Sequence, residues 1–328
     1  MSKSTKLIIS VLCVLLVLGS IVCLIIDSTQ RSDPTLQSPQ PTTPATTQGP
    51  SLPTEPSSQI SSTRIEYADP PADPWADHPD GIRIETVEKQ NFIAHVMLIR
   101  DPSAVYLATS GNTFSLEREG TRLLHQWRTE GAIAGINAGA FNDDGSAGTH
   151  VGSVPIGMVV SEGRILWDDG KSYQGFVGMT EDHKLFVSDK IDRATVEQMN
   201  IRDGCCFGPV LIKDGQINPN INYSLDFINS RTAIGQRADG TVIFVCIDGR
   251  QVGSIGANYG ELQSLMVELG AYNACTLDGG ASTVMAYRDT YGLYGKAGNV
   301  VAVNSYSLFQ ANPRRMPTFF MVRPAKEG

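Results

Sequence analysis

The residue best suited to chemistry in this sequence is Asp278, which ends the apolar run in "NACTLDGGASTVM". Two glycines, Gly279 and Gly280, follow it directly, and the hydroxyl residues Ser282 and Thr283 come soon after. Because glycine has no side chain, it permits a tight turn or the close approach of another group to the backbone. An acid at the mouth of a buried strand, followed by such a turn, therefore predicts a binding or catalytic loop.

Three other apolar runs also end in polar residues beside glycine. They carry Asn137 in "GINAGAFNDD", Arg231 and Thr232 in "SRTAIGQ", and Asp248 and Arg250 in "VCIDGR". A single Asp-Gly pair after a strand is most simply a turn. Several strand endings of this kind in one chain predict that their polar tips meet at one edge of a sheet, in a shared pocket.

The elements that must position these residues are mainly short strands. Apolar, β-rich runs lie at residues 92–100, 104–109, 132–137 and 318–322. Hairpin turns are predicted at residues 162–163, 181–182, 214–215 and 239–240, of which the last two are the Asp-Gly pairs that favour tight hairpins. Hairpins dominate over strand–helix alternation, so we predict an α+β fold with a mixed, largely antiparallel β-sheet core flanked by helices.

Two helices are expected. The first lies near residues 121–130, with Leu123, Leu124 and Trp127 on one face. The second begins after Asn258, because Asn258 and Glu261 have the spacing of a capping box, and it ends at Gly270. Its buried stripe is predicted to contain Leu262, Leu265, Met266 and Leu269. Glu261 is interpreted first as a capping residue and second as a catalytic acid.

The N-terminal segment predicts a membrane anchor. Residues 7–26 are free of charge and long enough to span a bilayer, and Lys3 and Lys6 precede them. The positive-inside bias then leaves residues 1–6 as a cytoplasmic tail and the remainder extracellular. A cleaved signal peptide is the rival interpretation, but no good small-residue cleavage site appears. A lipid-attachment site at Cys23 is disfavoured because the bulky Val22 precedes it.

Residues 27–63 are dominated by Pro, Ser, Thr and Gln, which predicts a disordered stalk. Residues 64–328 would then form a single large domain at the cell surface. Its cysteines show no zinc-ligand spacing, and buried free thiols are favoured over a Cys246–Cys275 bridge. The formal net charge of −8 argues against a nucleic-acid partner, which would need a basic face.

Five segments together resemble the phosphodiester glycosidase family in order and spacing. They are "INAGAFND", "GPVLIKDGQI", "RTAIGQRADGTVIFVCIDGR", "GELQSLMVELGAYNACTLDGGASTVM" and "VNSYSLFQANPRRMPTFFMV". The resemblance covers residues 90 to 322 and implies an α+β fold around a mixed sheet. It also implies hydrolysis of a sugar whose anomeric carbon is linked to phosphate, with a carbohydrate phosphate as the partner.

The sequence departs from the family pattern at the predicted rim of the pocket. Ala140-Phe141 stands where the family has two aromatic residues, and Ala281 stands where it often has glycine. Asn304 is retained with a later arginine, Arg314 or Arg315. These changes concern the preference for a sugar more than the reaction.

Glycosyl transfer to water passes through an oxocarbenium-like transition state and uses carboxylates near the anomeric carbon. We expect Asp278 to stabilise or attack that carbon, with Asp248 or Glu261 as acid/base. Arg231 or Arg250 would bind the phosphate.

The remaining site residues are expected to bind substrate. The amides of the loop after Asp278, with its two hydroxyls, would form an anion-binding nest. Asn137 and Asn304 would bind sugar hydroxyls. The predicted substrate-binding set is Asn137, Arg231, Thr232, Arg250, Gly279, Gly280, Ser282, Thr283, Asn304 and Arg315.

Three alternatives accompany this interpretation. Asp248, Asp278 and Asn137 are hard oxygen donors that suit Ca²⁺ or Mg²⁺, and a metal could direct hydrolysis at phosphorus, although the sequence requires no cofactor. A non-catalytic module that binds cell-wall glycan is the second alternative. A serine hydrolase at Ser282 is disfavoured because Val284 replaces the second glycine of the nucleophile elbow. The five histidines form no cluster and are interpreted as structural or surface residues.

Overall fold

The computed structural model describes residues 73–142, 151–221, 228–289, 292, 297–305 and 314–324. All of them belong to one compact unit, Asp69–Gly328. The predicted cytoplasmic tail (1–6), anchor (7–26) and stalk (27–63) lie outside the described residues. No helix within the described ranges has the length and apolar character required to cross a bilayer.

The described chain contains three α-helices, which are α1 (Leu123–Glu130), α2 (Arg193–Gln198) and α3 (Tyr259–Glu268). Its strands are β1 (Ile82–Glu88), β2 (Ile93–Ile99), β3 (Val105–Thr109), β4 (Ala134–Asn137), β5 (Phe141–Asn142), β6 (Val154–Pro155), β7 (Met158–Ser161), β8 (Arg164–Asp168), β9 (Phe176–Thr180), β10 (Leu185–Ser188), β11 (Ile201–Cys206), β12 (Val210–Lys213), β13 (Gln216–Ile217), β14 (Arg231–Arg237), β15 (Val242–Ile247), β16 (Ala271–Leu277), β17 (Met285–Asp289), β18 (Asn299–Ala302) and β19 (Thr318–Val322).

Three sheets organise these strands. The large sheet has the order β1-β2-β15-β14-β16-β12-β13, the middle sheet β10-β9-β11-β7-β8, and the terminal sheet β18-β17-β4-β19-β3. A small ladder joins β5 to β6. Every pairing between described strands is antiparallel, so the predicted mixed sheet is wrong and the largely antiparallel part of that prediction is confirmed.

All three sheets turn one face toward a common core. Phe244 of the large sheet, Met179 of the middle sheet and Phe320 of the terminal sheet are buried in the same cluster. The outer face of each sheet has its own smaller apolar cluster. The cluster on the large sheet includes residues of α3, and the cluster on the terminal sheet includes residues of α1. The cluster on the middle sheet includes Val196 of α2. Each helix therefore supplies the apolar partner that the outer face of a sheet requires.

The local predictions hold with small changes. All four predicted hairpins form, and α3 has the predicted capping box. In α1, Leu123 and Trp127 are buried but Leu124 is 38% exposed, so Leu124 does not share their buried environment. The described cysteines are buried free thiols, as the favoured interpretation held.

Candidate active site

The candidate site lies at one end of the large sheet. Arg231 at the start of β14 pairs with Ile247 at the end of β15, and Thr232 pairs with Leu277 at the end of β16. Because neighbouring antiparallel strands begin and end at the same edge, Asp248, Arg231 and Asp278 all emerge there. The predicted convergence of these strand ends is present in the structure.

The glycines after the two acids allow their loops to pack against Ser230, which precedes β14. A Cβ atom at Gly249 would lie 2.4 Å from Ser230 N, and one at Gly279 would lie 2.8 Å from Ser230 O. The amide of Gly280 then donates a 2.8 Å hydrogen bond to Ser230 O, and Gly280 has a φ of +61°. Glycine is required here because the loop closes on neighbouring backbone.

The amides of the Asp278 loop are used within the protein. Besides the Gly280 hydrogen bond, Ser282 N donates to Gly279 O at 3.1 Å and Thr283 N donates to Gly280 O at 3.2 Å. The amide of Gly279 interacts with the Asp278 carboxylate itself. These amides therefore already have acceptors within the protein, and the anion-binding nest stays a prediction.

Asp278 is the acid whose environment is most perturbed. The residue as a whole is partly exposed, but burial raises the pKa of its carboxyl to about 6. The Ser282 hydroxyl and the Gly279 amide act in the opposite direction, yet they do not offset the desolvation. A carboxylate with this pKa can take up or release a proton near neutral pH.

The side-chain amide of Asn137 connects the backbone of Asp278 to Thr232 and Val284. Its Nδ2 donates to Asp278 O at 2.5 Å, while its Oδ1 accepts from Thr232 Oγ1 and Val284 N, both at 3.0 Å. Thr232 Oγ1 also lies 3.2 Å from Thr283 Oγ1. Asn137 and Thr232 are wholly buried, so they do not present the surface that their predicted contacts with substrate require.

Asp248 is buried in a network of its own. Its Oδ2 lies 3.0 Å from His95 Nε2, and its Oδ1 accepts a 3.0 Å hydrogen bond from Ser305 N. The Asp248 side chain is only 5% exposed. Both carboxylate oxygens are thus occupied, and Asp248 joins the start of β2 to the segment after β18.

Glu261 caps helix α3. Its Oε2 accepts from Asn258 N at 2.9 Å, its amide donates to Asn258 Oδ1 at 2.8 Å, and its Oε1 accepts from Asn91 Nδ2 at 3.3 Å. The capping interpretation is confirmed. Since one oxygen serves the cap and the other accepts from Asn91, the structure gives no support to the second interpretation of Glu261 as an acid/base.

The two arginines of this sheet end differ in exposure. Arg231 is buried, with its Nε donating to Ala257 O at 2.9 Å and its guanidinium carbon 4.0 Å from the centre of the Tyr259 ring. Arg250 is exposed and has a left-handed φ of 59°. Arg250 is therefore the more accessible cation, and Arg231 is the more rigidly held one.

Asn304 and Arg315 have partners away from the Asp278 carboxylate. Asn304 is buried and accepts from Met285 N at 2.6 Å. Arg315 pairs with Glu119 at 3.0 Å. The neighbouring Arg314 instead stacks on the ring of Phe141, at 5.0 Å from its centre. The role of either arginine toward a substrate remains a prediction.

The comparison with known families decides the classification. A model of the phosphodiester glycosidase family matches residues 130–323, which is more than half of the chain. The chain belongs to the phosphodiester glycosidase family.

One curated protein similar to this chain is the SPbeta prophage-derived uncharacterized protein YomE of Bacillus subtilis, which is 28% identical over 170 residues. That match covers 50% of this chain but only 23% of YomE, so the chain spans about a quarter of that relative. Among solved structures, the catalytic domain of zebrafish N-acetylglucosamine-1-phosphodiester alpha-N-acetylglucosaminidase matches with a TM-score of 0.55 and 19% identity, over 74% of this chain and 82% of that one. A Burkholderia pseudomallei protein matches with a TM-score of 0.51 and 16% identity, over 71% and 74% of the two chains. At these identities the structures establish a common fold.

Asn137 and Asp248, two of the oxygen donors that the sequence offers for a metal, have their side-chain oxygens occupied by protein donors. Asn137 Oδ1 is occupied by two donors, and the oxygens of Asp248 face His95 and Ser305. Across the described ranges, no group of three or more His, Cys, Asp or Glu side chains is placed to hold a metal ion.

Two residues near the site escaped the sequence interpretation. His95 lies 153 positions before Asp248. Only the alternation of side chains along β2, which pairs with β15, indicates the face of the sheet on which its ring lies. Tyr173 lies on a loop without a motif, yet the charge of Asp278 contributes to a raised pKa of its phenol, after the larger effect of burial. The His95–Asp248 hydrogen bond and the electrostatic effect of Asp278 on Tyr173 both join residues that are far apart in the sequence.

Proposed function

We propose that this protein hydrolyses the bond between the anomeric carbon of a sugar and a phosphodiester oxygen, with Asp278 as the reacting carboxylate. The observation that carries this proposal is the raised pKa of Asp278, which is about 6. Asp278 is partly buried at the end of the large sheet where the polar strand ends converge. Membership of the phosphodiester glycosidase family supports the same chemistry. The zebrafish relative is named for a substrate of this class.

One free carboxylate is sufficient for this reaction because the leaving group is unusual. Most glycosidases need a second carboxylic acid to protonate the departing alkoxide. A phosphomonoester departs as a stable anion, so that proton is not needed. This fits a site in which Asp248 and Glu261 are both engaged in structural hydrogen bonds.

Water attacks the anomeric carbon, the bond from that carbon to the phosphate oxygen breaks with its electron pair leaving on phosphate, and Asp278 accepts the proton of the attacking water. Asp278 is mostly ionised at pH 7 with a pKa of about 6, so it can act as this base. Arg250, which is exposed, and Arg231, which is held against Tyr259, supply positive charge at the same sheet end.

Hydrolysis in ¹⁸O-labelled water tests the position of attack. We expect wild-type protein to release a phosphomonoester that carries no label, as measured by mass spectrometry. Label in the phosphate would show attack at phosphorus and would overturn the proposal. The pH dependence of kcat/KM gives a second readout, which we expect to fall as the pH drops through about 6, because protonated Asp278 cannot act as a base.

We further propose that residues 7–26 anchor the protein in a membrane, with residues 27–63 as a spacer and the enzyme domain outside the cell. The support is the uncharged apolar run and its basic N-terminal flank. The natural substrate would then be a phosphodiester-linked glycan or envelope polymer. Deletion of residues 1–26 should move the protein from the membrane fraction to the soluble fraction, and persistence in the membrane would contradict the anchor.

A further inference from the structure

Tyr173 lies between β8 and β9 and packs against Phe207. The two ring centres are 5.4 Å apart, with an angle of 49° between the ring planes. Tyr173 is partly buried, whereas Phe207 is only 7% exposed. Tyr173 is thus the more accessible residue of the pair, and its ring packs on the buried Phe207.

The segment that carries Phe207 runs beside the Asp278 loop. Pro209 O accepts hydrogen bonds from Thr276 N at 3.2 Å and Thr276 Oγ1 at 3.1 Å, two residues before Asp278. On the other side, Cys206 O accepts from Ala140 N at 2.9 Å, close to the Ala138 carbonyl that accepts from Asp278 N. The segment that carries Phe207 is therefore hydrogen-bonded both to the strand that precedes Asp278 and to the segment that follows Ala138.

The position of Tyr173 is fixed by close backbone contacts. A Cβ atom at Gly208 would lie 2.1 Å from Gln174 O, and one at Gly175 would lie 2.9 Å from Phe207 O. The amide of Tyr173 also interacts with the thiol of Cys206. The charge of Asp278 adds to burial in raising the pKa of the Tyr173 phenol, which places that phenol within electrostatic reach of the carboxylate.

We propose that Tyr173 is a specificity-determining residue that binds the glycosyl group attacked at the Asp278 site. This inference rests on the proposed function. An aromatic ring offers an apolar face to the C–H groups of a sugar, and a phenol can hydrogen-bond to a sugar hydroxyl. Tyr173 packs on Phe207, and the segment of Phe207 is hydrogen-bonded to the strand that ends at Asp278, so we place the ring beside the sugar rather than beside the alcohol beyond the phosphate.

The test uses the full-length protein and two substrate panels. In one panel of α-glycosyl methyl phosphodiesters only the sugar changes, and in the other only the alcohol changes. Tyr173→Phe removes the hydroxyl and keeps the ring on Phe207, while Tyr173→Ala removes both. Tyr272→Ala is a matched control, because Tyr272 is 45% exposed and lies near the opposite end of β16 from Asp278.

We expect Tyr173→Ala to lower kcat/KM for the preferred sugar by about tenfold or more, mainly through KM, and to reduce the ratio between sugars. Tyr173→Phe should lose about 2- to 12-fold, the range of one hydrogen bond. Ratios across the alcohol panel should not change, and Tyr272→Ala should match wild type. Circular dichroism and thermal unfolding confirm folding, with Tyr173→Phe as the variant that preserves the packing.

The two proposals fail in different ways. If wild type cleaves no sugar phosphodiester, the proposed function is lost. If wild type is active but Tyr173→Phe and Tyr173→Ala keep its sugar ratios, or alter only the alcohol ratios, the role of Tyr173 in sugar binding is wrong while the proposed function stands.

Discussion

Asp248 and Asp278 occupy matching positions on either side of Ser230. Each acid is followed by a glycine, and that glycine packs against the backbone of Ser230. The two carboxylates nevertheless differ. Asp248 has a partner on each oxygen, His95 and Ser305. Asp278 has weaker support, from Ser282 and Gly279, and burial raises its pKa to about 6. The same strand-Asp-Gly pattern therefore yields one structural acid and one reactive acid, and the difference lies in the partners that distant segments supply.

The largest expected effect is the loss of activity in Asp278→Asn. The amide cannot accept the proton of the attacking water, so we expect kcat/KM to fall by about 1,000-fold or more. Hydrolysis of a sugar-1-phosphodiester by purified protein measures this, and circular dichroism checks the fold. Asp248→Asn is the matched control, since its amide oxygen can still accept from Ser305 N. It should retain activity within about tenfold. Equal losses in the two variants would remove the contrast between the acids.

The next effect concerns stability and falls on the other acid. Asp248→Ala leaves the Ser305 amide and the His95 ring without their buried acceptor, so we expect the free energy of unfolding to fall by about 2–4 kcal/mol. Urea unfolding measures the change. Asp248→Asn should restore more than half of it, because it preserves the shape and one acceptor. A loss below about 0.5 kcal/mol in Asp248→Ala would show that this network contributes little.

The contrast also sets the boundary of what the sequence could predict. Local signals located the elements well: the Asp239-Gly240 turn formed its hairpin, and Asn258 and Glu261 formed their capping box. Strand ends also predicted that Asp248, Arg231 and Asp278 would meet at one edge. The turn and the cap depend on residues close together in the chain, and each of the three strand ends is marked by its own local pattern.

The roles of the individual side chains could not be predicted in the same way. Whether Asp248 is reactive depends on His95, and whether Asn137 is accessible depends on Thr232 and Val284, all far away in sequence. The loop amides looked free in the sequence because their acceptors, such as Ser230 O, are set by tertiary packing. Burial and pairing across sheets decide whether a polar group serves a ligand or the fold.

A smaller effect follows from the raised pKa of Asp278 and has the opposite sign to most substitutions. Its pKa is 3.8 in the reference state and about 6 in the folded protein, so the folded state binds the proton more tightly. Below about pH 4 the group is protonated in both states, so it does not lower the free energy of unfolding. Above about pH 6 it is ionised in both states and lowers the free energy of unfolding by the full amount. We expect Asp278→Asn to raise the free energy of unfolding by about 1–3 kcal/mol at pH 7, after allowance for solvent screening.

The difference between wild type and Asp278→Asn should decline between pH 6 and pH 4, as followed by urea unfolding at each pH. A variant that is less stable than wild type at pH 7 would contradict the buried, desolvated state of Asp278. A gain in stability accompanied by loss of activity is the expected signature of a reactive group held at a cost to the fold.

The smallest expected effect is at Glu261, the third acid proposed from the sequence. Glu261→Ala removes one half of the capping box and the contact with Asn91, so the free energy of unfolding should fall by about 1 kcal/mol. Because the carboxylate serves the start of α3, kcat/KM should change by less than about threefold. Glu261→Gln offers a sharper comparison, since its amide oxygen can still accept from Asn258 N and should recover most of the stability. A loss of activity in Glu261→Gln comparable to that of Asp278→Asn would return Glu261 to the reaction and divide the chemistry between two acids.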